Sequence, residues 1–554
     1  MDARIKFRVL VPLMVAILVM ILFFQKLMHT QIKVINLVKE VKDDFHNEGE
    51  ITSKLMQSKN KANIANAMKK QEFEKSPKKL TQMTSMSFPR MISGDKLVHL
   101  DLKGAAPKML YIIKLLPTLK SLGATGLLVE YEDMFPYYDE LSVLKSHNAY
   151  SLDEIKKFLI EIRNNGLLMI PLVQTFGHME FVLKHKKFSH LRHVANMTTA
   201  VNPNHEGSFS LVKNIIDQII KIHEGYIEYV HIGGDEVWSL KDCSSCEPSS
   251  KVYLKHMLPV IENVVSKKLT PIIWDDMMRR WSVENLKKIG SSGVQPMIWA
   301  YPPQLDTFFP EGMWRRYSRA FSSVWLASAF KGAETPSTNF VPISVRLQNH
   351  RSWMKIYSKL SRHIKINGIV LTGWSRFDHY ASMCELLPAG LPSLGLCLTI
   401  LKEGSLTNKS LWQVSTTLGF KSPIFLHSYD IPKDVSEKDE GTFLGHDIYG
   451  IVLKLRRAYN ALESVEKRIP AWFNRRQFAT SRISIYQLTV SFQKLKSATN
   501  RLTPLINLVR EKFPKVYHDD TTEEWINDKI ENVLTRAVEI EKYLNNIKST
   551  VLKL

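Results

Sequence analysis

Residues 126–173 read GLLVEYEDMFPYYDELSVLKSHNAYSLDEIKKFLIEIRNNGLLMIPLV. The stretch opens on an apolar, β-rich run (GLLVEY, 126–131), passes through an amphipathic segment at 152–165, and closes on a second apolar run (LLMIPLV, 167–173). Short continuous apolar runs on either side of a 3.6-period segment predict two parallel strands, buried on both faces and joined by a helix. The alternation extends outward in both directions. LVHLDL (97–102) precedes it, and YVHIG (229–233), PIIW (271–274), MIWAY (297–301), VWLAS (324–328) and GIVLTGW (368–374) follow. Further helical patterns lie at 110–122, 208–222 and 252–267. Eight such units predict an α/β fold, a (β/α)8 TIM barrel. A doubly wound open sheet is the rival, but no Gly-rich phosphate turn follows the first strand to favour it.

Composition agrees with a large folded chain. In 554 residues the hydrophobic content is 44% and the aromatic content 10%, which excludes a wholly disordered polymer and supports a sizeable core. Four cysteines exclude a disulfide-stapled mini-fold. Cys243 and Cys246 form a CxxC with no second pair, which fits a local disulfide or two plain thiols better than a metal site. Lys+Arg number 75 against 54 Asp+Glu, a net charge of +21. No zinc-finger, RNP or helix-turn-helix pattern accompanies that charge, so a solvated basic surface is expected rather than a nucleic-acid partner.

Residues 9–24 (VLVPLMVAILVMILFF) carry no charge and follow Arg4, Lys6 and Arg8. The span is close to the length a bilayer requires, and the basic flank keeps the amino terminus cytosolic. Phe23, Phe24, Gln25 and Lys26 stand where a cleaved signal would place small residues. The expected organisation is a tail and signal-anchor helix at 1–29, a polar stem at 30–88, a barrel at 89–400 and a helical region at 401–554. This predicts a single-pass type II membrane protein with its barrel in the Golgi or endomembrane lumen. Asn196 and Asn408 head glycosylation tripeptides that suit a lumenal location.

Barrel enzymes place their chemistry at the carboxyl ends of the strands. There the sequence offers Asp101 and Lys103, Glu130, Glu132 and Asp133, Gln174 and His178, Asp235 and Glu236, and Trp274 with Asp275 and Asp276. Trp299, Tyr301, Trp374, Arg376 and Asp378 complete the ring. Three tryptophans at the ends of the fifth, sixth and eighth strands suit a flat, partly apolar ring such as a sugar. The pair Asp235 and Glu236 ends the run HIGGDEVW (231–238). Neighbours on a regular strand face opposite sides, so both acids reach one site only if the backbone distorts, and Gly233 and Gly234 permit that. Two adjacent acids buried for structure alone would be costly.

HIGGDE resembles the signature of glycoside hydrolase family twenty, the β-N-acetylhexosaminidases. The resemblance extends through KLVHLDLKGA (96–105), GLLVEYEDMFPY (126–137), PLVQTFGHMEFVLKH (171–185), WDDM (274–277), ASAFKGA (327–333), LTGW (371–374) and CELLPAGLPSL (384–394), spanning about residues 96–400. It implies hydrolysis of terminal N-acetylhexosamine, GlcNAc or GalNAc, from glycans or glycoconjugates by a substrate-assisted retaining route, without metal or cofactor. Glu236 would be the acid/base, and Asp235 would orient the acetamido group. Tyr301 would bind the acetamido oxygen, and Trp274, Trp299 and Trp374 would line the pocket. His178 would contact the acid, with Glu132 or Asp133 behind it. Many family members carry an arginine after the first strand and a glutamate two residues after the eighth-strand tryptophan. Here Lys103 and Arg376 occupy those regions, near Asp101, which leaves the GlcNAc-versus-GalNAc preference open. A catalytically weak, lectin-like carbohydrate-binding protein on the same barrel is the alternative. The resemblance also implies a cytoplasmic alternative to the lumenal location.

Near the carboxyl end Ile526, Ile530, Val533, Ala537, Ile540, Leu544, Ile547 and Val551 form one apolar seam, with Asp520 and Thr521 offering its cap. Packing on the barrel is its expected use, and self-association as a homo-oligomer is the alternative.

Overall fold

The computed structural model describes residues 91–240, 248–426, 441–480 and 482–551. The expected anchor and stem lie outside the described residues, as do Cys243 and Cys246. Among the described residues no helix is long and apolar enough to cross a membrane. Cys384 and Cys397 are free, buried thiols.

Eight parallel strands close into a barrel: β1 Asp95–Asp101, β2 Gly126–Glu130, β3 Leu168–Leu172, β4 Tyr229–His231, β5 Thr270–Trp274, β6 Gln295–Trp299, β7 Ser323–Lys331 and β8 Lys365–Gly373. β8 returns to β1, with Asp95 opposite Gly368. Each strand is followed by a helix: α1 Met109–Leu122, α2 Leu152–Asn164, α3 Glu206–His223, α4 Ser249–Ser266, α5 Val283–Gly290, α6 Met313–Ala320, α7 Ile343–Leu360 and α8 Leu387–Glu403. Alternation along the strands sends Leu97, Leu128, Ile170, Ile272, Met297, Trp325 and Val370 into a common interior. Each such aliphatic side chain removed from water contributes about 1.5–3 kcal/mol. Helix starts are also locally encoded. Ser151 Oγ accepts from the Glu154 N–H while the Glu154 carboxylate accepts from the Ser151 N–H, a reciprocal cap that opens α2.

Two departures from the expected strands shape the site. β4 is only three residues long and pairs with β3 at a single position, Leu172 with His231, so the chain leaves the ladder before the acid pair. β7 runs three residues beyond the expected Ser328, with register shifts against β8, and carries the following loop further over the barrel mouth.

The carboxyl-terminal region folds as α9 Asn408–Thr417, α10 His446–Glu466, α11 Ile485–Lys512, α12 Asp519–Ile526 and α13 Asn532–Val551. It packs on the barrel. Lys108 N donates to Val516 O at 2.7 Å, and Tyr111 Oη donates to Leu444 O at 3.0 Å. The apolar seam is spent inside the chain, since Ile526, Ile530, Val533, Ala537, Leu544 and Ile547 are buried. That corrects the self-association alternative: the seam is covered by the protein's own helices, α11 among them. Asp520 and Thr521 do not cap the helix. His518 occupies the cap position without a side-chain bond, and a π turn at Asn527–Glu531 interrupts the helix.

Candidate active site

A cavity of about 190 Å³ opens at the carboxyl ends of the strands. Its wall comes from Lys103 after β1, Gln174 and His178 after β3, Asp235 and Glu236 after β4, Trp274 on β5, Trp299 and Tyr301 at β6, Glu334 after β7, and Trp374 and Phe377 after β8.

The acid pair reaches it by backbone distortion. Gly233 (φ 61°), Gly234 (φ 87°) and Glu236 (φ 49°) all lie in the left-handed region. A Cβ on Gly234 would stand 2.7 Å from Tyr253 Oη, and one on Gly177 would stand 2.2 Å from Asp235 O. For Glu236 the conformation costs on the order of 1–3 kcal/mol, and such strain clusters at functional positions. The turn is pinned by Asp276, whose Oδ2 accepts from the Glu236 N–H at 3.0 Å.

The electrostatics are unusual for surface acids. Asp235 is 6% exposed, and its Oδ1 is buried without a hydrogen-bond partner. Burial pushes its carboxyl up to about 7, against the pull of His178. Burial alone would lower His178, but Asp235 opposite and a hydrogen bond to Glu236 hold it up at about 10. His178 Nε2 lies 3.4 Å from Glu236 Oε2 and 3.5 Å from Asp235 Oδ2, so one imidazolium serves both carboxylates. The Glu236 side chain keeps 32% exposure, giving it access to the cavity that Asp235 lacks.

The aromatic walls are mutually braced. Trp374 Nε1 donates to Tyr301 Oη at 3.0 Å, and Tyr301 stacks on Trp299 with centroids 5.2 Å apart. Trp299 Nε1 donates to Asp276 Oδ1 at 3.2 Å. The Tyr301 hydroxyl also bonds the side chain of Thr372, which itself donates to Ser328 O at 2.9 Å, so the Tyr301 proton rests on Thr372 until a ligand oxygen competes for it. Asp275 and Asp276 are both committed. Asp275 is gripped by Arg279 at 2.7 and 2.9 Å, and Asp276 takes the Glu236 and Trp299 donors.

Several expected site residues stand elsewhere. Glu132 and Asp133 are not behind His178. The chain turns sharply at Glu132 (φ 44°), and both acids face His379, at 3.0 and 3.7 Å. The carboxylate that acts on His178 besides the acid pair is Glu180, also buried. Glu132, Asp133 and His379 bring ligand-type atoms within 4.8 Å of one another, but the Lys184 ammonium sits 2.7 Å from His379 Nε2 and 3.8 Å from Asp133. A side-chain cation already serves that group.

Arg376 does not line the cavity either. Its Nη1 and Nη2 each lie 2.6 Å from a Glu524 oxygen, and they also donate to Ala381 O and Gly104 O. Asp101 is a brace behind the wall, accepting from Lys103 Nζ at 3.0 Å and from the Ser375 N–H at 2.7 Å. Lys103 does reach the cavity, with Nζ 5.0 Å from the Trp374 ring centroid. Asn196 is exposed, whereas Asn408 opens α9 and the Ser410 hydroxyl of its tripeptide is buried in that helix's cap.

Sequence reasoning gave no role to Gln174, Glu334 or Phe377. Gln174 was legible as a strand-end residue, and its Oε1 is a buried acceptor without a partner. Glu334, paired with the buried Arg346, was hidden because β7 extends past its expected end.

The chain is similar to several known proteins. The model of "Glycosyl hydrolase family 20, catalytic domain" matches residues 110–313. Hexosaminidase D of Homo sapiens is 36% identical over 473 residues, covering 82% of this chain and 95% of that protein. Hexosaminidase D of Bos taurus is 42% identical over 341 residues, covering 59% of this chain and 97% of that protein. A β-N-acetylhexosaminidase structure from Bacteroides fragilis aligns with a TM-score of 0.43 at 15% identity, covering 60% of this chain and 70% of that one. By the extent of its match to the two mammalian relatives, the chain belongs to glycosyl hydrolase family 20, and it is a glycoside hydrolase.

Proposed function

We propose that the enzyme removes a terminal β-linked N-acetylhexosamine, GlcNAc or GalNAc, from glycans or glycoconjugates, with the substrate's own acetamido oxygen as nucleophile. The observation that carries this reading is the unpartnered Asp235 Oδ1, a buried acceptor on the cavity wall beside the accessible Glu236. An acetamido N–H satisfies that acceptor, and the Tyr301 hydroxyl offers a proton to the acetamido oxygen. An ordinary hexose brings neither the N–H for Asp235 nor the carbonyl oxygen for Tyr301.

In this mechanism Glu236 donates its proton to the leaving glycosidic oxygen while the acetamido oxygen closes on the anomeric carbon. Asp235 accepts the acetamido N–H and stabilises the positive charge that develops on the resulting oxazolinium ring. Glu236, now a carboxylate, takes a proton from water as that water reopens the ring, so configuration is retained. His178 faces the charge of Asp235 throughout and that of Glu236 once its proton has gone to the leaving group. Asp275 and Asp276 are poor nucleophile candidates, because Arg279, Trp299 and the Glu236 N–H occupy their oxygens.

The test is hydrolysis of an aryl N-acetylhexosaminide by the purified protein and by Glu236→Gln. The native protein should turn it over and the variant should not. Equal activity in the variant would remove Glu236 from the chemistry. We further propose a type II membrane topology with a lumenal barrel, supported by the uncharged span at 9–24 behind Arg4, Lys6 and Arg8. Protease protection of the barrel in sealed microsomes would support it, and digestion without detergent would contradict it.

A further inference from the structure

Part of the chain's excess positive charge is concentrated. From Lys467 to Arg510 there are nine Lys and Arg and no Asp or Glu. The first half of this segment forms the connection between α10 and α11, which holds two short helices, Arg468–Trp472 and Arg475–Ala479. Around Phe473 and Asn474 the connection is tied down. Phe473 is fully buried, and its carbonyl accepts from Tyr543 Oη at 2.6 Å. Asn474 Oδ1 accepts from the Arg476 and Gln477 N–H groups at 3.1 Å each.

What this connection presents outward is an unusual mixture. Trp472 is 43% exposed, Ile485 64% and Tyr486 73%, and Arg475, Arg476 and Arg482 are exposed alongside them. The bond from Arg468 to Gln487 brings the two ends of the connection together, so Trp472 and Tyr486 belong to one end of the helical region. Among the described residues none of the three arginines is paired with a carboxylate. The acids on α10 are already engaged: Glu463 faces Lys467 at 3.7 Å, and Glu466 pairs with Arg536.

We propose that this end of the α10–α11 hairpin docks on an anionic lipid surface. Basic side chains beside a protruding tryptophan, tyrosine and isoleucine match the two layers of a membrane interface, phosphate headgroups outside and acyl chains just beneath. A soluble polyanion would use the arginines but gain nothing from Ile485 or Tyr486. An apolar protein partner would leave three unpaired cations at its edge. The surface is separate from the sugar cavity, so docking on anionic lipid of the leaflet that faces the barrel would hold the hydrolase near membrane-borne glycoconjugates without entering the chemistry.

Trypsin cuts after Arg475, Arg476 and Arg482, which makes cleavage there a direct probe on the full chain. Preformed phosphatidylcholine vesicles containing phosphatidylserine should slow cleavage at these arginines by about tenfold or more. Phosphatidylcholine alone should not, and raised salt should restore cleavage. The double variant Trp472→Ala/Tyr486→Ala should lose the protection while hydrolysing a soluble aryl substrate at the native rate, which shows its fold is intact. Equal cleavage with both vesicle types would overturn the proposal. So would heparin protecting as well as vesicles do, undiminished in the double variant, because that result describes a free polyanion site.

Discussion

The loops after β4 and β8 each bring charged side chains to the mouth of the barrel, and they use them in opposite ways. After β4 the backbone is strained, Asp235 keeps a buried oxygen without a partner, and Glu236 remains accessible. After β8 the Arg376 Nη1 and Nη2 atoms are held by Glu524, Ala381 O and Gly104 O. A charge at a strand end does chemistry only when it keeps hydrogen-bonding capacity aimed at the cavity. The β8 arginine lies off the cavity wall, and both of its terminal nitrogens tie the carboxyl-terminal helices to the loop that carries Lys103.

That contrast predicts a graded set of losses. Glu236→Gln should be the most severe, up to about 10⁴-fold in kcat, the upper range for removing a general acid. Asp235→Ala should cost about 10²–10³-fold in kcat, the scale of losing one preorganised electrostatic partner in the transition state. Comparable activity in either variant, measured on an aryl N-acetylhexosaminide, would erase the distinction between the two loops.

The pH profile sharpens it further. Burial pushes Asp235 up to about 7, and protonation turns the acetamido acceptor into a donor. The kcat/KM value should therefore fall as pH drops below about 7. Asp235→Asn should remove that limb from whatever activity remains.

The smallest effect should come from the β8 side. Glu524→Ala leaves Arg376 without its carboxylate and should destabilise the protein by about 1–3 kcal/mol, seen as a lower Tm. The Lys103 loop loosens with it, so KM should rise by about 3–10-fold with kcat nearly unchanged. Glu524→Asp should recover part of the loss. A collapse of kcat instead would place Arg376 in the chemistry after all.

The strands were legible because parallel strands buried on both faces are written as unbroken apolar runs, and all eight were found within a few residues of their ends. The acid pair was legible because two glycines before two adjacent acids can serve little else. The positions that misled were those decided by tertiary partners. Arg376 looked like a sugar contact because its counter-charge, Glu524, lies 148 residues away. Glu132 and Asp133 lay near the right loop, but a left-handed residue aimed them at His379. Glu334 was missed because β7 outruns its apolar core, which no local pattern announces. The carboxyl-terminal seam was read correctly as apolar, but a repeat at helical spacing does not say whether its cover comes from the same chain.

The central claim is that the substrate's acetamido group does the work of a nucleophile. Its most direct test compares an aryl β-N-acetylglucosaminide with the matching aryl β-glucoside on the same purified enzyme, with a thiazoline mimic of the cyclic intermediate as inhibitor. The account predicts turnover of the first substrate, near-background rates on the second, and strong inhibition by the thiazoline. Comparable rates on the two substrates, unaffected by the thiazoline, would contradict it and require a nucleophile from the protein.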